Sequence, residues 1–64
     1  MNKLTPKQAR FVAEYLIDFN ATQAYLRAGY RVSASVARRN ASRMLTKADV
    51  GAAVSARQQE LAEA

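Results

Sequence analysis

Hydrophobic residues recur every three or four positions along most of this chain, as they do on one face of an α-helix. The first such stripe consists of Phe11, Val12, Tyr15, Leu16 and Phe19. Thr5 precedes it with Gln8 three positions later, the spacing of a capping box, and Pro6 suits the first helical position. We therefore expect a helix over residues 6–18. Because its aromatic residues share a stripe with aliphatic ones, we expect them in the core and not as stacking platforms for bases.

A second, shorter helix is predicted over residues 21–28. Asn20 is the expected N-cap, and Gly29 stands where a left-handed residue commonly ends a helix. The inner stripe of this helix contains only small residues, which are Ala21, Ala24 and Ala28. Small side chains let another helix approach closely, as the crossing in a helix-turn-helix requires.

The third predicted helix, residues 34–45 with Ser33 as its N-cap, separates two kinds of side chain. One side carries Ala34, Ala37, Ala41, Met44 and Leu45, with Val36 at the margin. The other side carries Ser35, Arg38, Arg39, Ser42 and Arg43. An ordinary surface helix would usually place Glu one turn from Arg, and here Glu is absent. A helix about 10 Å across fits the ~12 Å major groove of B-DNA, and the guanidinium matches the O6/N7 edge of guanine. This side therefore predicts a DNA-recognition helix.

A fourth helix is predicted over residues 47–60, where Thr46 and Asp49 have the spacing of a cap. Its apolar stripe is thin and is interrupted by Arg57; the stripe consists of Val50, Val54 and Leu61. Because apolar residues become sparse after Val54, we expect a DNA-binding domain over residues 1–57. Residues 58–64 are then the start of a polar connector helix leading to a second domain outside this chain.

Together these elements predict an all-α fold. It is a compact bundle of about four helices that contains a helix-turn-helix, with the last helix extending as a connector. The expected core consists of Phe11, Val12, Tyr15, Leu16, Ala24, Ala28, Tyr30, Ala37, Ala41, Leu45 and Val50.

The charge of the chain is concentrated in its middle. The net charge is +5, and no acidic residue occurs between Phe19 and Ala48. The basic residues of that window are Arg27, Arg31, Arg38, Arg39, Arg43 and Lys47. Such clustering attracts phosphate, anionic lipid or an acidic protein surface. The alternative is a basic face kept only for solubility.

The residues for most catalytic chemistry are missing. With no Cys and no His in 64 residues, the chain lacks thiolate and imidazole metal ligands and the commonest general base. It has no glycine-rich phosphate loop. We therefore expect no enzyme activity, no cofactor and no metal. No apolar run approaches the ~20 residues of a membrane span, and no signal-peptide core is present, so the sequence indicates a cytosolic protein.

Two stretches, "LTPKQARFVAEYLIDFNATQAYLRAGY" and "ASRMLTKADVGAAV", resemble the N-terminal domain of the small subunit of tailed-phage terminase. The similarity covers roughly residues 4–58, and "NATQAYLRAGY" is its most specific part. The resemblance implies a helix-turn-helix module that recognises double-stranded viral DNA and a protein that regulates the large-subunit packaging motor in the host cell cytoplasm. It also implies rings formed through a central oligomerisation domain and large-subunit contacts through other parts, both outside this chain. We expect the chain alone to be a monomer or to associate only weakly.

The expected DNA contacts follow from the positions of the basic and polar residues. Arg39 and Arg43, one turn apart, are expected to follow the groove, with Ser35 and Ser42 between them. Arg38, nearer the core edge, is expected to contact a phosphate instead. Four further residues, on the second helix or flanking the third, are expected to contact the phosphate backbone of the DNA. These are Gln23, Arg27, Arg31 and Lys47. The turn after Gly29 is longer than the commonest helix-turn-helix turn. We expect Tyr30 to pack beneath it and Arg31 to point outward.

Two other functions remain open at this point. A small helix-turn-helix transcriptional regulator would show the same charge and periodicity. A protein- or membrane-interaction module that uses a basic amphipathic helix is the other alternative.

Overall fold

A computed structural model describes residues 4–63, and of Glu63 only the backbone. Its four helices are α1 (Pro6–Asp18), α2 (Ala21–Arg27), α3 (Ala34–Thr46) and α4 (Ala48–Glu63). No strand occurs in this part of the chain. The all-α prediction is confirmed, and the predicted helix ends agree to within one residue except that α4 continues three residues further. Residues 1–3 of the expected DNA-binding domain and residue 64 of the expected connector lie outside the described residues.

Side-chain caps start the first three helices. The Thr5 hydroxyl accepts a hydrogen bond from the Gln8 backbone N–H (3.2 Å), and Gln8 Oε1 accepts one from the Thr5 N–H (3.0 Å). Asn20 Oδ1 accepts from Gln23 N–H, 3.1 Å away. Ser33 Oγ accepts from the N–H of the third residue of α3, 3.3 Å away. The caps satisfy backbone donors that the helix itself leaves without partners, and three of the four predicted N-terminal caps are confirmed.

The prediction that Thr46 caps the start of α4 is wrong. Thr46 belongs to α3, and its hydroxyl donates to the Arg43 carbonyl oxygen at 2.6 Å. Lys47 is extended, with φ −69° and ψ 135°, and separates α3 from α4. A threonine hydroxyl can bond the preceding turn of its own helix instead of capping the next one, and at Thr46 this local bond prevails.

The helices pack as a chain of neighbours. The most extensive contact joins α2 to α3, followed by α1 with α2, while α4 packs against both α1 and α3. The buried core consists of Phe11, Val12, Ala24, Tyr25, Ala28, Ala37, Ala41, Met44 and Val50. Four of these are small alanines on α2, α3 and the turn between them, the two helices that pack most extensively.

The observed core differs from the expected core in two ways. Tyr15, Leu16, Tyr30 and Leu45 are only partly buried and pack around the core. Tyr25 and Met44, which the expected core omitted, are buried.

Phe19 is the clearest error among the aromatic residues. It is 55% exposed, and it ends α1 in the left-handed conformation (φ 57°, ψ 26°). Phe19, the last apolar residue of the predicted stripe, therefore lies just outside α1 and is not buried. Phe19 contacts Tyr15 edge-on, with ring centroids 5.5 Å apart.

The second half of α4 carries little of the core. Val50 is fully buried and Val54 partly, whereas every side chain over residues 55–62 is exposed, with Leu61 at 64%. Burial along α4 therefore decreases after Val54, where the sequence becomes poor in apolar residues. No helix within residues 4–63 combines the length and apolarity needed to cross a lipid bilayer.

Candidate nucleic-acid interface

The outer side of α3 forms one shallow basic concavity, which we call the α3 face. It is lined by Ser35, Arg38, Arg39, Ser42 and Arg43. All five residues are exposed, while Ala37, Ala41 and Met44 on the opposite side are buried. The structure thus brings together the five residues that helical spacing placed on one side. Arg38 lines the same concavity as the other four residues.

Among the described residues, the arginines of the α3 face form no ion pair with a carboxylate. Within residues 4–63 both ion pairs are formed by Arg27, with Glu14 and with Asp18. Arg38, Arg39 and Arg43 therefore keep their positive charge directed at solvent. Unneutralised guanidinium groups on one concave surface produce a local positive potential suited to phosphate or to guanine edges.

Contacts with α2 hold α3 in place. Asn40 Nδ2 donates to the phenol oxygen of Tyr25 across 3.3 Å, between the buried and exposed sides of α3. The Tyr25 ring also packs edge-on against Phe11, with centroids 6.2 Å apart. Tyr25 and Asn40 were not singled out as positioning residues from the sequence. Tyr25 does lie one helical turn from Ala21 and so on the inner stripe of α2, which was the available signal.

The turn between α2 and α3 is ordered by glycine and by stacking. Gly29 has φ 105°, a conformation that favours glycine, as expected at the end of α2. The Tyr30 ring stacks on Tyr25 with centroids 4.0 Å and planes 11° apart. Burial, and to a lesser extent Tyr25, raises the pKa of the Tyr30 phenol. Tyr30 thus packs beneath the turn, partly buried, and Arg31 is exposed as predicted.

The residues expected to contact the DNA backbone differ in their exposure and in their bonding within the protein. Gln23 and Lys47 are exposed, on α2 and at the junction of α3 and α4. Arg27 is engaged within the protein: its Nε donates to Glu14 Oε1 at 2.6 Å, and its Nη2 lies 3.3 Å from Asp18 Oδ1. Hydrogen bonds to Glu14 and then to Asp18 raise the pKa of Arg27. The sequence reasoning missed this pairing because Glu14 is thirteen positions away.

Metal-binding residues do not come together in the part of the chain that the structure describes. No group of three or more His, Cys, Asp or Glu side chains is close enough to hold an ion there.

Comparison with known proteins adds a family to this geometry. The model of the terminase small subunit family matches residues 4–64. This chain belongs to the terminase small subunit family. The resemblance seen in the sequence is therefore confirmed at the level of the family. In a terminase, the small subunit is the DNA-recognition and regulatory subunit and not the catalytic one. No curated protein and no solved structure shows significant similarity to the chain.

Proposed function

We propose that this terminase small subunit chain binds double-stranded DNA through the α3 face. The observation that carries the proposal is the set of three exposed arginines, none in an ion pair within residues 4–63, that share one concavity with two serines. On this proposal the chain supplies the DNA-binding part of a protein that recognises viral DNA for genome packaging and regulates the large-subunit motor. Membership of the family supports that role.

The proposed binding mode is that of a helix-turn-helix. Extensive packing of α2 on α3 leaves the α3 face free to enter the major groove, where Arg39 and Arg43 are positioned to read guanine edges. Ser35 and Ser42 are small and allow the helix backbone to approach the bases. Arg38 contributes a further cation on the same surface.

Phosphate contacts are proposed for residues that flank the α3 face. Arg31 in the turn and Lys47 at the far end of α3 are exposed, and Gln23 is exposed on α2. Contacts to phosphate supply affinity and orientation without reading sequence. Arg27 is left out of the proposed set because its guanidinium is already bonded to Glu14 and Asp18.

The wider role is proposed from the family. The full-length subunit would form a ring through parts outside this chain and contact the large subunit in the cytoplasm of the infected cell. One copy of this small module would bind DNA weakly. Several linked copies would raise the effective concentration of the rest and recover affinity.

A transcriptional regulator would use the same contacts, so the α3 face does not favour it over packaging, whereas the family match favours packaging. A membrane- or protein-interaction module would place the same basic helix against anionic lipid or an acidic surface. Anionic vesicles added beside duplex DNA separate that alternative from DNA binding.

A titration followed by NMR tests the proposal. Duplex DNA is added to the isotopically labelled chain, once as a random sequence and once as a candidate packaging site, at several salt concentrations. We expect the largest amide shifts at α3 and its flanking residues, little change over residues 55–62, and affinity that falls steeply with salt. Shifts centred on α4, or affinity for anionic vesicles and none for duplex, would contradict the proposal.

A further inference from the structure

A lysine from α1 lies over the turn that leads into α3. Lys7 Nζ is 5.3 Å from the centroid of the Tyr30 ring, a cation–π geometry. The same side chain runs past Gly29, whose added Cβ would lie 3.9 Å from Lys7 Cε. Tyr30 stacks in turn on Tyr25, which accepts the hydrogen bond from Asn40 of α3. A continuous series of contacts therefore connects Lys7 to α3 through the two stacked tyrosines.

The surroundings of Lys7 leave its charge available. No ion pair involves Lys7 among residues 4–63, and Arg31 follows Tyr30 directly in the exposed turn. The acids of α1, Glu14 and Asp18, lie about 10 Å or more further along the helix axis and are bonded to Arg27. Packing alone would not need a charge at this position, because an uncharged side chain could cover the tyrosine ring.

We propose that Lys7 is a further DNA-contacting residue, a phosphate-binding cation that the Tyr30 ring holds beside the entrance to α3. The inference rests on the proposed function, because it places Lys7 at the edge of the duplex that the α3 face engages. A cation–π contact with the Tyr30 ring favours one orientation of the otherwise flexible lysine side chain. A phosphate contact by Lys7 would then carry no sequence information.

The first experiment measures duplex affinity across salt for the wild-type chain, Lys7→Gln and Lys7→Arg. Loss of one phosphate contact is expected to reduce the steepness of log affinity plotted against log salt concentration by about 0.9. At 0.1 M salt the affinity is expected to fall by roughly fivefold to tenfold, equally for every duplex. Lys7→Arg keeps the charge and is expected to bind as the wild type does. Arg57→Gln is the matched control, since it removes one exposed charge from α4.

The second experiment tests whether Tyr30 positions Lys7. In NMR spectra of the free chain, the Lys7 ε-methylene protons are expected upfield of their usual position because of the Tyr30 ring current. Tyr30→Phe should keep that shift and the DNA affinity. Tyr30→Leu should abolish the shift and lower the affinity only where Lys7 is present, so the double variant with Lys7→Gln should lose no more than Lys7→Gln alone. Circular dichroism checks that each variant is folded.

The outcomes separate this inference from the proposed function. If the wild type binds duplex and Lys7→Gln behaves like Arg57→Gln, the role of Lys7 is overturned and the α3 face stands. If the wild-type chain does not bind duplex at all, the proposed function fails and the inference fails with it. If Lys7→Gln lowers affinity but Tyr30→Leu alone leaves both the affinity and the Lys7 proton shift unchanged, the positioning by Tyr30 is overturned.

Discussion

Arg27 Nε donates a hydrogen bond to Glu14 Oε1 over 2.6 Å, and this contact ties α2 to α1 across thirteen positions of sequence. The other end of the guanidinium lies 3.3 Å from Asp18 Oδ1, an oxygen that also accepts from the Asn20 backbone N–H at the start of α2. One cation between two carboxylates therefore fixes the corner between the helices. A residue from the basic window of the sequence has a structural role here.

This corner predicts a pH dependence of stability. The hydrogen bond from the Asn20 N–H, and then that from Arg27, hold the pKa of Asp18 below its ordinary value. Stabilisation by Asp18 is therefore complete above the unfolded pKa and is lost as the pH falls through the lower, folded pKa. We expect Asp18→Ala to lower the Tm at neutral pH, and its difference from the wild type to shrink as the pH falls below about 4. Thermal unfolding followed by circular dichroism measures both.

The matched control for Asp18→Ala is Glu60→Ala, an exposed carboxylate with no ion pair within residues 4–63. It is expected to change the Tm little at neutral pH. A difference between Asp18→Ala and the wild type that stays constant down to about pH 2 would contradict this explanation of the corner.

The two glycines predict effects of opposite sign. Gly29 has φ 105°, so Gly29→Ala should destabilise the fold by about 1–2 kcal/mol through backbone strain, although the added Cβ meets nothing closer than 3.9 Å. Gly51 lies inside α4, where its Cβ would meet the Leu45 carbonyl oxygen at an ordinary 3.6 Å. Gly51→Ala should therefore stabilise the fold by about 0.5–1 kcal/mol. Urea unfolding of the two variants provides the comparison, and equal signs would be inconsistent with the turn geometry.

Base contacts and phosphate contacts should respond differently to mutation. Lys47→Ala and Arg31→Ala should weaken binding to all duplexes alike and reduce the salt slope by about 0.9 for each contact. Arg39→Ala and Arg43→Ala should cost about 1–3 kcal/mol preferentially on a preferred site. The measurement is the ratio of the affinity for the preferred site to the affinity for a random duplex, taken for each variant at one salt concentration. Equal losses on both duplexes for Arg39→Ala and Arg43→Ala would mean that α3 grips DNA by charge and shape without reading bases.

The chain by itself is predicted to be a monomer or to associate only weakly. Residues 55–62 of α4 are exposed, and Leu61 is the only residue among them with a large aliphatic side chain, so α4 lacks a sustained coiled-coil seam. Sedimentation velocity over a range of concentrations tests this. A stable ring formed by these 64 residues would instead place oligomerisation within the DNA-binding part.

Interactions between near neighbours in sequence could be predicted well. The cap formed by Thr5 and Gln8 involves residues three positions apart, and the two sides of α3 follow from the helical period alone. The Thr46 cap failed even at this range, because its hydroxyl had a second local acceptor in the Arg43 carbonyl oxygen. Where two local hydrogen bonds compete, spacing does not decide between them.

Interactions between distant residues could not be predicted in the same way. Arg27 looked free for DNA because no acid lies near it in the basic window, yet folding brings Glu14 to it. The stack of Tyr25 on Tyr30, with Lys7 above it, likewise depends on how α1 crosses the turn after α2. Helical periodicity assigns a residue to one side of its own helix and does not give the partner that it meets.

DNA binding through the α3 face is tested most directly by comparing two double variants of equal charge. Arg39→Gln with Arg43→Gln removes two cations from the α3 face, and Arg10→Gln with Arg57→Gln removes two exposed cations from α1 and α4. Duplex affinity of both is measured at 0.1 M salt beside the wild type, with circular dichroism confirming the fold. We expect the first pair to lose roughly fiftyfold in affinity and the second pair to lose only a fewfold. Equal losses would show that net charge, and not the α3 face, carries the binding.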